Sequence, residues 1–330
     1  MTQINDVIEY ARKNALQGNI LDRDSIIVLL GINPDSVEAE KLGKAAREVA
    51  AEVTGNSGRV WAALGVDYAP CPINCHFCSF GEKWGVIQKE YKWSAPEIID
   101  FAKKLLNGGA KWITLRTTEY YSLSELAGLM KQIRETIPGN YGIVANTGEL
   151  TAKAADLLMT SGVSIIYHTL RLREGIDTGL SVKSRLDTLA SVQASPLDLA
   201  FLVEPVGIEH TDAELADSFL VAMKYGARLS GTMARVPVPG TPLGSIPAVP
   251  ERRMAQIAAV TRLAAGSNAP DICIHPASQL ALAWGANVVV VEAGAIPRDT
   301  VNSRSEWKSF DLQTAAAWFK QAGYQQDRGI

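Results

Sequence analysis

Four cysteines in 330 residues are too few for a disulfide framework, and three of them fall between positions 71 and 78. No run of lysine or arginine stands out, and 32 basic residues against 35 acidic ones leave a formal net charge of −3. That balance excludes the basic footprint of a nucleic-acid binder, so no nucleic acid is expected as a partner and a small-molecule substrate is the default. No uninterrupted apolar stretch is long enough to span a bilayer, so no membrane is expected either. Met1 to Tyr10 carry acids and polar residues in place of a basic-then-apolar leader, and the expected setting is cytoplasmic. No Pro/Gly/Ser-rich linker or low-complexity tract divides the chain.

What is present is concentrated in Cys71-Pro-Ile-Asn-Cys75-His-Phe-Cys78, directly after an apolar, strand-like run. Three thiolates in one short loop can grip three corners of an iron-sulfur cube and leave the fourth iron without a protein ligand. An open iron is a reaction site. The other reading is a structural zinc knot, with His76, Cys273 or His275 as fourth ligand, although zinc knots usually carry a second ligand pair that this sequence lacks.

After residue 57 the chain alternates short β-branched runs with helical patterns, which predicts repeated βα units and a parallel sheet. The strand candidates are 59–66, 112–118, 142–146, 164–172, 198–206, 228–236, 271–275 and 287–292. Eight such units close most naturally into a (β/α)8 TIM-type barrel, whose active sites lie in the loops at the carboxyl ends of the strands. The cysteine loop follows the first strand at that end. Helices predicted over 5–15, 23–31 and 36–54 make residues 1–56 a helical N-terminal extension to a barrel over 57–330, covering one mouth or flank of it. Ser122 and Glu125 have the spacing of a capping box for the helix after the second strand.

The C-x3-C-x2-C spacing, with Phe77 beside Cys78, resembles the signature of the radical S-adenosylmethionine (SAM) superfamily. Over nearly the whole chain the sequence looks like the group that contains biotin synthase, the hydrogenase maturase and methylornithine synthase. The resemblance implies a 4Fe–4S cluster on Cys71, Cys75 and Cys78, SAM chelated at the open iron, and a 5′-deoxyadenosyl radical formed by reductive cleavage. It also implies a flavodoxin- or ferredoxin-type electron donor.

Carried over residue by residue, the resemblance makes Phe77, Thr118, Glu119, Asn146, Arg171, Arg173, Glu174 and Gly207 the SAM contacts. Thr117-Thr118-Glu119 stands where the family usually has a Gly-Gly-Glu-like segment, and an acid at a helix start also has a dipole explanation. Arg171 and Arg173 alternate along the fourth strand candidate, so both are expected to face the interior, where an arginine without an anion is costly. A salt bridge from Arg173 to Glu149 or Glu174 is the plainer account of that pair. Gly207 permits close backbone approach or simply makes a turn.

The remaining strand ends offer Arg116, His168, Arg235, Glu292 and Arg298 as substrate contacts, suited to a zwitterionic or carboxylate-bearing molecule. Cys273 and His275, two residues apart and so on one face of the seventh strand, are the catalytic candidates. The expected function is hydrogen abstraction from a small polar substrate, followed by rearrangement, cleavage or group transfer in cofactor or amino-acid-derived metabolite biosynthesis. The alternative enzyme is a sulfur-inserting one of biotin or lipoyl type. Biotin synthase uses a second cluster held by three further cysteines and an arginine, whereas only Cys273 remains here, so that reading needs an unusual second cluster. A non-catalytic iron-sulfur or zinc assembly protein is the alternative of another class.

Overall fold

The computed structural model describes residues 4–294 and 310–330. Its ring consists of β1 (Ser57–Gly65), β2 (Ala110–Arg116), β3 (Gly142–Asn146), β4 (Ile165–Tyr167), β5 (Asp198–Ala200, resuming as Val203–Val206), β6 (Ala227–Ala234), β7 (Asp271–His275) and β8 (Val288–Gly294). All neighbours are parallel. β1 pairs with β8 from Arg59↔Val288 to Gly65↔Gly294 and with β2 through Trp61↔Trp112, which closes the barrel. The chain is a (β/α)8 TIM-type barrel.

Strand alternation divides the apolar residues into two cores. Trp61, Trp112, Val144, Ile165, Ala200, Leu229, Cys273 and Val288, one from each strand, point inward and form a closed layer inside the barrel. Their neighbours on the other face, such as Val60, Ile113, Ile143 and Ile272, pack against the surrounding helices. Two positions further along the strands the inward residues become Ala63, Thr114, Asn146, Tyr167, His275 and Val290, and these surround a cavity instead of filling one. The period-two pattern thus sets both the plug of the barrel and the floor of its open end.

The outer ring comprises α4 to α11 after three preceding helices. These are α1 (Ile4–Leu16), α2 (Arg23–Leu30), α3 (Val37–Thr54), α4 (Ala95–Asn107), α5 (Leu123–Thr136), α6 (Ala152–Thr160), α7 (Val182–Gln193), α8 (Asp212–Lys224), α9 (Glu251–Ala265), α10 (Gln279–Ala283) and α11 (Leu312–Gln321). The first three pack on α8 and α9, covering a flank of the barrel. α9 is therefore covered on both sides and is buried at every position from Met254 to Ala265, which explains its alanine-rich, faceless sequence. No helix among the described residues is long and apolar enough to cross a membrane.

Three expectations are corrected. The fourth strand ends at Tyr167, not at residue 172; past it, Arg173 takes φ 56° and Gly175 φ 80°, which turn the chain out of the sheet. Arg171 and Arg173 therefore do not share a strand face. The capping box at Ser122 is half made: its hydroxyl accepts from the Glu125 amide at 3.4 Å, but the Glu125 carboxylate goes to Lys92 at 2.6 Å. A C-terminal strand, Gln325–Asp327, also pairs with Ser57–Arg59 of β1, and the sequence pattern did not signal it.

Candidate active site

The cysteine loop holds its own shape. A two-residue hairpin, Asp67–Tyr68 against Tyr91–Lys92, ties off the segment that leaves β1. Within it the Cys71 amide donates to the Phe80 carbonyl at 2.6 Å, and the Glu82 amide returns to the Cys71 carbonyl at 3.1 Å. Asn74 stands in the left-handed region at φ 53°, its side-chain Nδ2 donating to the Pro72 carbonyl (2.7 Å) and its Oδ1 accepting from the Lys83 amide (2.9 Å). The Trp84 indole donates to the Cys75 carbonyl at 3.1 Å.

The loop after β4 clamps this arrangement. The His76 amide donates to the Asp177 carbonyl at 2.8 Å, and the His76 ring stands 3.3 Å from the Asp177 carboxylate. From the loop after β6, the Leu243 amide donates to the His76 carbonyl at 3.0 Å.

Burial pushes the Cys75 thiol up to about 12 and the Cys78 thiol to about 11, with the Arg171 charge partly opposing both shifts. Cys71 is raised by burial as well. Among the described residues no set of three His, Cys, Asp or Glu side chains converges to hold a single metal ion. The zinc reading finds no fourth ligand: His76 is held by Asp177, His275 stands 3.4 Å from Glu292, and Cys273 is sealed in the inner layer. Three soft donors spread along one loop suit the separate corners of a cluster.

Cys75, Phe77 and Cys78 open onto a cavity of about 200 Å³ at the carboxyl end of the barrel. Its walls are mostly apolar, with Trp61, Leu202, Met233 and Val290 among them. Its polar groups come from strand ends. Arg116 meets Glu292 at 3.0 Å, and the Tyr167 hydroxyl donates to Glu204 while its ring sits edge-on to Trp61. Burial and the Glu204 carboxylate keep the Tyr167 phenol well above its ordinary value. The Asn146 side-chain Nδ2 donates to the Tyr167 carbonyl at 3.3 Å. Arg235 forms a two-pronged pair with Glu209, and Arg171 reaches the cavity between Glu174 (3.8 Å) and Glu204 (4.0 Å).

The structure thus brings Cys75, Phe77, Cys78, Arg116, Asn146, Arg171, Arg235, His275 and Glu292 to one cavity. Several other candidates lie elsewhere. Thr118 is bound to Asp67, which accepts from its amide at 2.8 Å and from its hydroxyl. Arg173 turns away to Glu214 at 2.9 Å and to the Glu209 carbonyl at 2.9 Å. Glu174 is buried against Thr178 and Arg185, outside the cavity lining. Gly207 donates its amide to His210 at 2.8 Å and is crowded by Glu209 and Arg235.

His168 is buried, 3.9 Å from Glu149, and burial with the nearby Arg185 and Arg171 charges drives its pKa well down. Glu119 packs against Gly148, with burial raising its pKa. Cys273 lies in the closed layer beneath His275, and Arg298 is outside the described residues. Sequence reasoning missed Trp61, Tyr167 and Glu204. The available signal was register, since Tyr167 lies two positions along from the inward-facing Ile165.

No protein-family model matches the chain. Among curated proteins it is similar to biotin synthase of Mycobacterium avium (strain 104), 24% identical over 299 residues that cover 88% of this chain and 82% of that one. It is also similar to biotin synthase of Parafrankia sp. (strain EAN1pec), 27% identical over 276 residues covering 78% and 73%. Among solved structures, methylornithine synthase (PylB) superposes with a TM-score of 0.78 over 96% of this chain and 97% of that one, at 17% identity. The FeFe-hydrogenase maturase HydG from Carboxydothermus hydrogenoformans gives 0.76 over 98% and 79%, at 18% identity. The structural likenesses establish the shared barrel, and the similarity to the curated relatives extends over most of the chain. Over most of its length the chain is thus similar to biotin synthases, and it shares its barrel with methylornithine synthase and the hydrogenase maturase, in keeping with the resemblance of its cysteine loop to the radical SAM signature.

Proposed function

We propose that this enzyme removes hydrogen from a small, polar, carboxylate-bearing substrate inside the upper barrel, leading to rearrangement, cleavage or group transfer. The observation that carries the reading is that Cys75 and Cys78 face the same cavity as Arg171, Arg116, His275 and Glu292. When bound, the cluster and SAM supply an electron and a 5′-deoxyadenosyl radical. The protein's own residues bind, orient and exclude water.

Cys71, Cys75 and Cys78 would hold the cluster, and Phe77 lines the same cavity as Cys75 and Cys78. Arg171 receives the SAM carboxylate: its Nη1 is buried without a hydrogen-bond partner, and a planar fork suits a carboxylate. Asn146 supports SAM from β3. Arg116 and Glu292, a cation and an anion 3.0 Å apart, offer complementary charges to a substrate, with His275 and Arg235 at the edges. The apolar walls keep water from a reactive radical. Thiols that must stay reduced fit a cytoplasmic setting and a flavodoxin- or ferredoxin-type donor.

The test is anaerobic reconstitution with iron and sulfide, reduction by dithionite with SAM, and quantification of 5′-deoxyadenosine, with Cys75→Ala as control. Product from the wild type alone supports the reading, whereas bound zinc and no product would sink it. Because the similar curated proteins are biotin synthases, sulfur insertion is the second reading. Iron content separates the two: about four irons per chain favour the first, and roughly six to eight the second.

A further inference from the structure

Tyr141 and Tyr167 place their hydroxyls on different kinds of acceptor. Tyr141, packed in the outer core, donates to the Ile137 carbonyl at 2.8 Å, and a carbonyl does not take up a proton. Tyr167, at the end of β4, donates to Oε2 of Glu204, and a carboxylate does. Both Tyr167 and Glu204 line the cavity onto which Cys75 and Cys78 open.

The pair is held from several sides. The Tyr167 ring stands edge-on to Trp61, with centroids 5.4 Å apart at 80°, and the Trp61 indole is itself fixed by the Thr114 hydroxyl. On the backbone, the Tyr167 carbonyl accepts from Asn146 Nδ2 at 3.3 Å and the Glu204 carbonyl accepts from the Leu172 amide at 2.7 Å. Glu204 is 3% exposed, with Oε1 4.0 Å from Arg171 Nε. Burying a carboxylate is costly, and a wall otherwise apolar could be closed by phenylalanine without it. Packing alone therefore does not account for the pair. Burial and the Glu204 charge keep the phenol protonated, so its O–H hydrogen is present at neutral pH.

We propose that Tyr167 is a hydrogen-atom donor to a carbon-centred radical held in this cavity, and that Glu204 is the group through which the phenol regains its proton. In the donation the phenolic O–H bond breaks and a C–H bond forms, so the carbon is reduced and Tyr167 is left as a neutral phenoxyl radical. One electron from a flavodoxin- or ferredoxin-type reductant, with one proton passed on by Glu204, restores the phenol. A phenolic O–H bond is weaker than an aliphatic C–H bond, which gives the transfer its direction. Rotation about the ring C–O bond turns the hydroxyl from Glu204 to the cavity. The inference rests on the reading that such a radical forms here.

The test needs no substrate, because the 5′-deoxyadenosyl radical is then itself the carbon radical in the cavity. The anaerobically reconstituted protein is exchanged into deuterium oxide and reduced by dithionite with unlabelled SAM, and the 5′-deoxyadenosine is analysed by mass spectrometry. Most of the wild-type product is expected to carry a deuterium taken from the exchanged phenol. Whatever product Tyr167→Phe makes, at unchanged iron content, is expected to have lost most of that label. Wild-type product without deuterium, or equal deuterium from the two proteins, overturns the proposal.

A second measurement decides where the phenylalanine variant does not fold or makes no product. Wild type labelled with ring-deuterated tyrosine is given a single electron per cluster and freed of reductant before SAM is added, so that a phenoxyl radical is not reduced again. Electron paramagnetic resonance is expected to show an organic radical equimolar with 5′-deoxyadenosine, its spectrum narrowed by labelled tyrosine and unchanged by labelled tryptophan. No such radical, or one indifferent to the tyrosine label, overturns the proposal. Both readouts follow an atom or a spin, and neither depends on how fast the protein turns over. Wild type that forms no 5′-deoxyadenosine removes the underlying reading and this one together, whereas 5′-deoxyadenosine that takes its hydrogen from non-exchanging positions removes this one alone.

Discussion

Gly179, in the loop after β4, lies so close to Ile73 in the cysteine loop that a β-carbon on it would stand 2.5 Å from the Ile73 carbonyl oxygen. The two loops come from different strands, and this contact, with the His76 to Asp177 bonds beside it, fixes how the cysteines face the cavity. Backbone against backbone offers no side chain to swing aside. Gly179→Ala is therefore expected to force the loops apart, costing about 1–3 kcal/mol as overpacking does, and to lower the iron retained after desalting. Gly128→Ala serves as control: it sits in α5 with nothing within 4 Å of its added methyl, and is expected to stabilise by about 0.5–1 kcal/mol. Equal iron and equal melting temperatures for the two variants would refute the clamp.

Asn74 gives a second, separable handle on the same loop. Its left-handed backbone and its two side-chain hydrogen bonds make different demands, and glycine meets the first but not the second. Both Asn74→Gly and Asn74→Ala are expected to speed iron loss to a chelator. The alanine variant should be the less stable by about 1–2 kcal/mol, the cost of placing a β-carbon in that conformation. Denaturation midpoints measure the difference, and a reversed order would show that the loop relaxes out of the left-handed region.

The barrel and the cysteine loop were legible in the sequence because both are written in short-range patterns: period-two alternation for Trp61, Val144 or Ile165, and fixed spacing for Cys71, Cys75 and Cys78. The cavity at the barrel mouth was less so. Arg171 and Arg173 look alike on an extended strand, but a single left-handed residue, Arg173 itself, sends one into the cavity and the other to Glu214. Glu174 and His168 read as ligand contacts because they are polar at a strand end. Their actual partners, Arg185 and Glu149, come from elements that spacing alone cannot bring near. Tyr167 was passed over because an aromatic in an apolar run reads as core, and only the register of the closed ring shows it one layer above Ile165.

Cys273 illustrates the same limit. It shares a face with His275, but His275 lines the cavity while Cys273 is fully buried in the apolar layer below. Burial also keeps its thiol well above the ordinary range, so it carries no thiolate near neutrality. Cys273→Ala is expected to cost about 1 kcal/mol through the small void it leaves, with 5′-deoxyadenosine formation unchanged. Turnover with substrate, once one is found, should be unchanged too. His275→Gln should do the reverse, sparing the melting temperature more than turnover. Altered product distribution in the Cys273 variant would bring that thiol into the chemistry.

The Glu209 to Arg235 pair predicts how the protein responds to acid. The Arg235 guanidinium, gripping both carboxylate oxygens, holds Glu209 down to about 2 from an ordinary 4.5, although burial pulls the other way. A depressed carboxylate pKa means that the unfolded chain takes up the proton first as pH falls. The pair's contribution to stability is therefore fully present above pH 4.5 and is lost as pH drops toward 2. Glu209→Gln cannot titrate, so its melting temperature should be lower than wild type at neutral pH, with the gap narrowing steadily between pH 4.5 and 2. Melting curves across that range, at fixed ionic strength, measure this directly. A gap that stays constant would mean that Glu209 titrates normally and that the two-pronged pair does not persist in solution. Arg235 would then stand in the cavity as a free cation, and a substrate carboxylate would have two arginines to choose between.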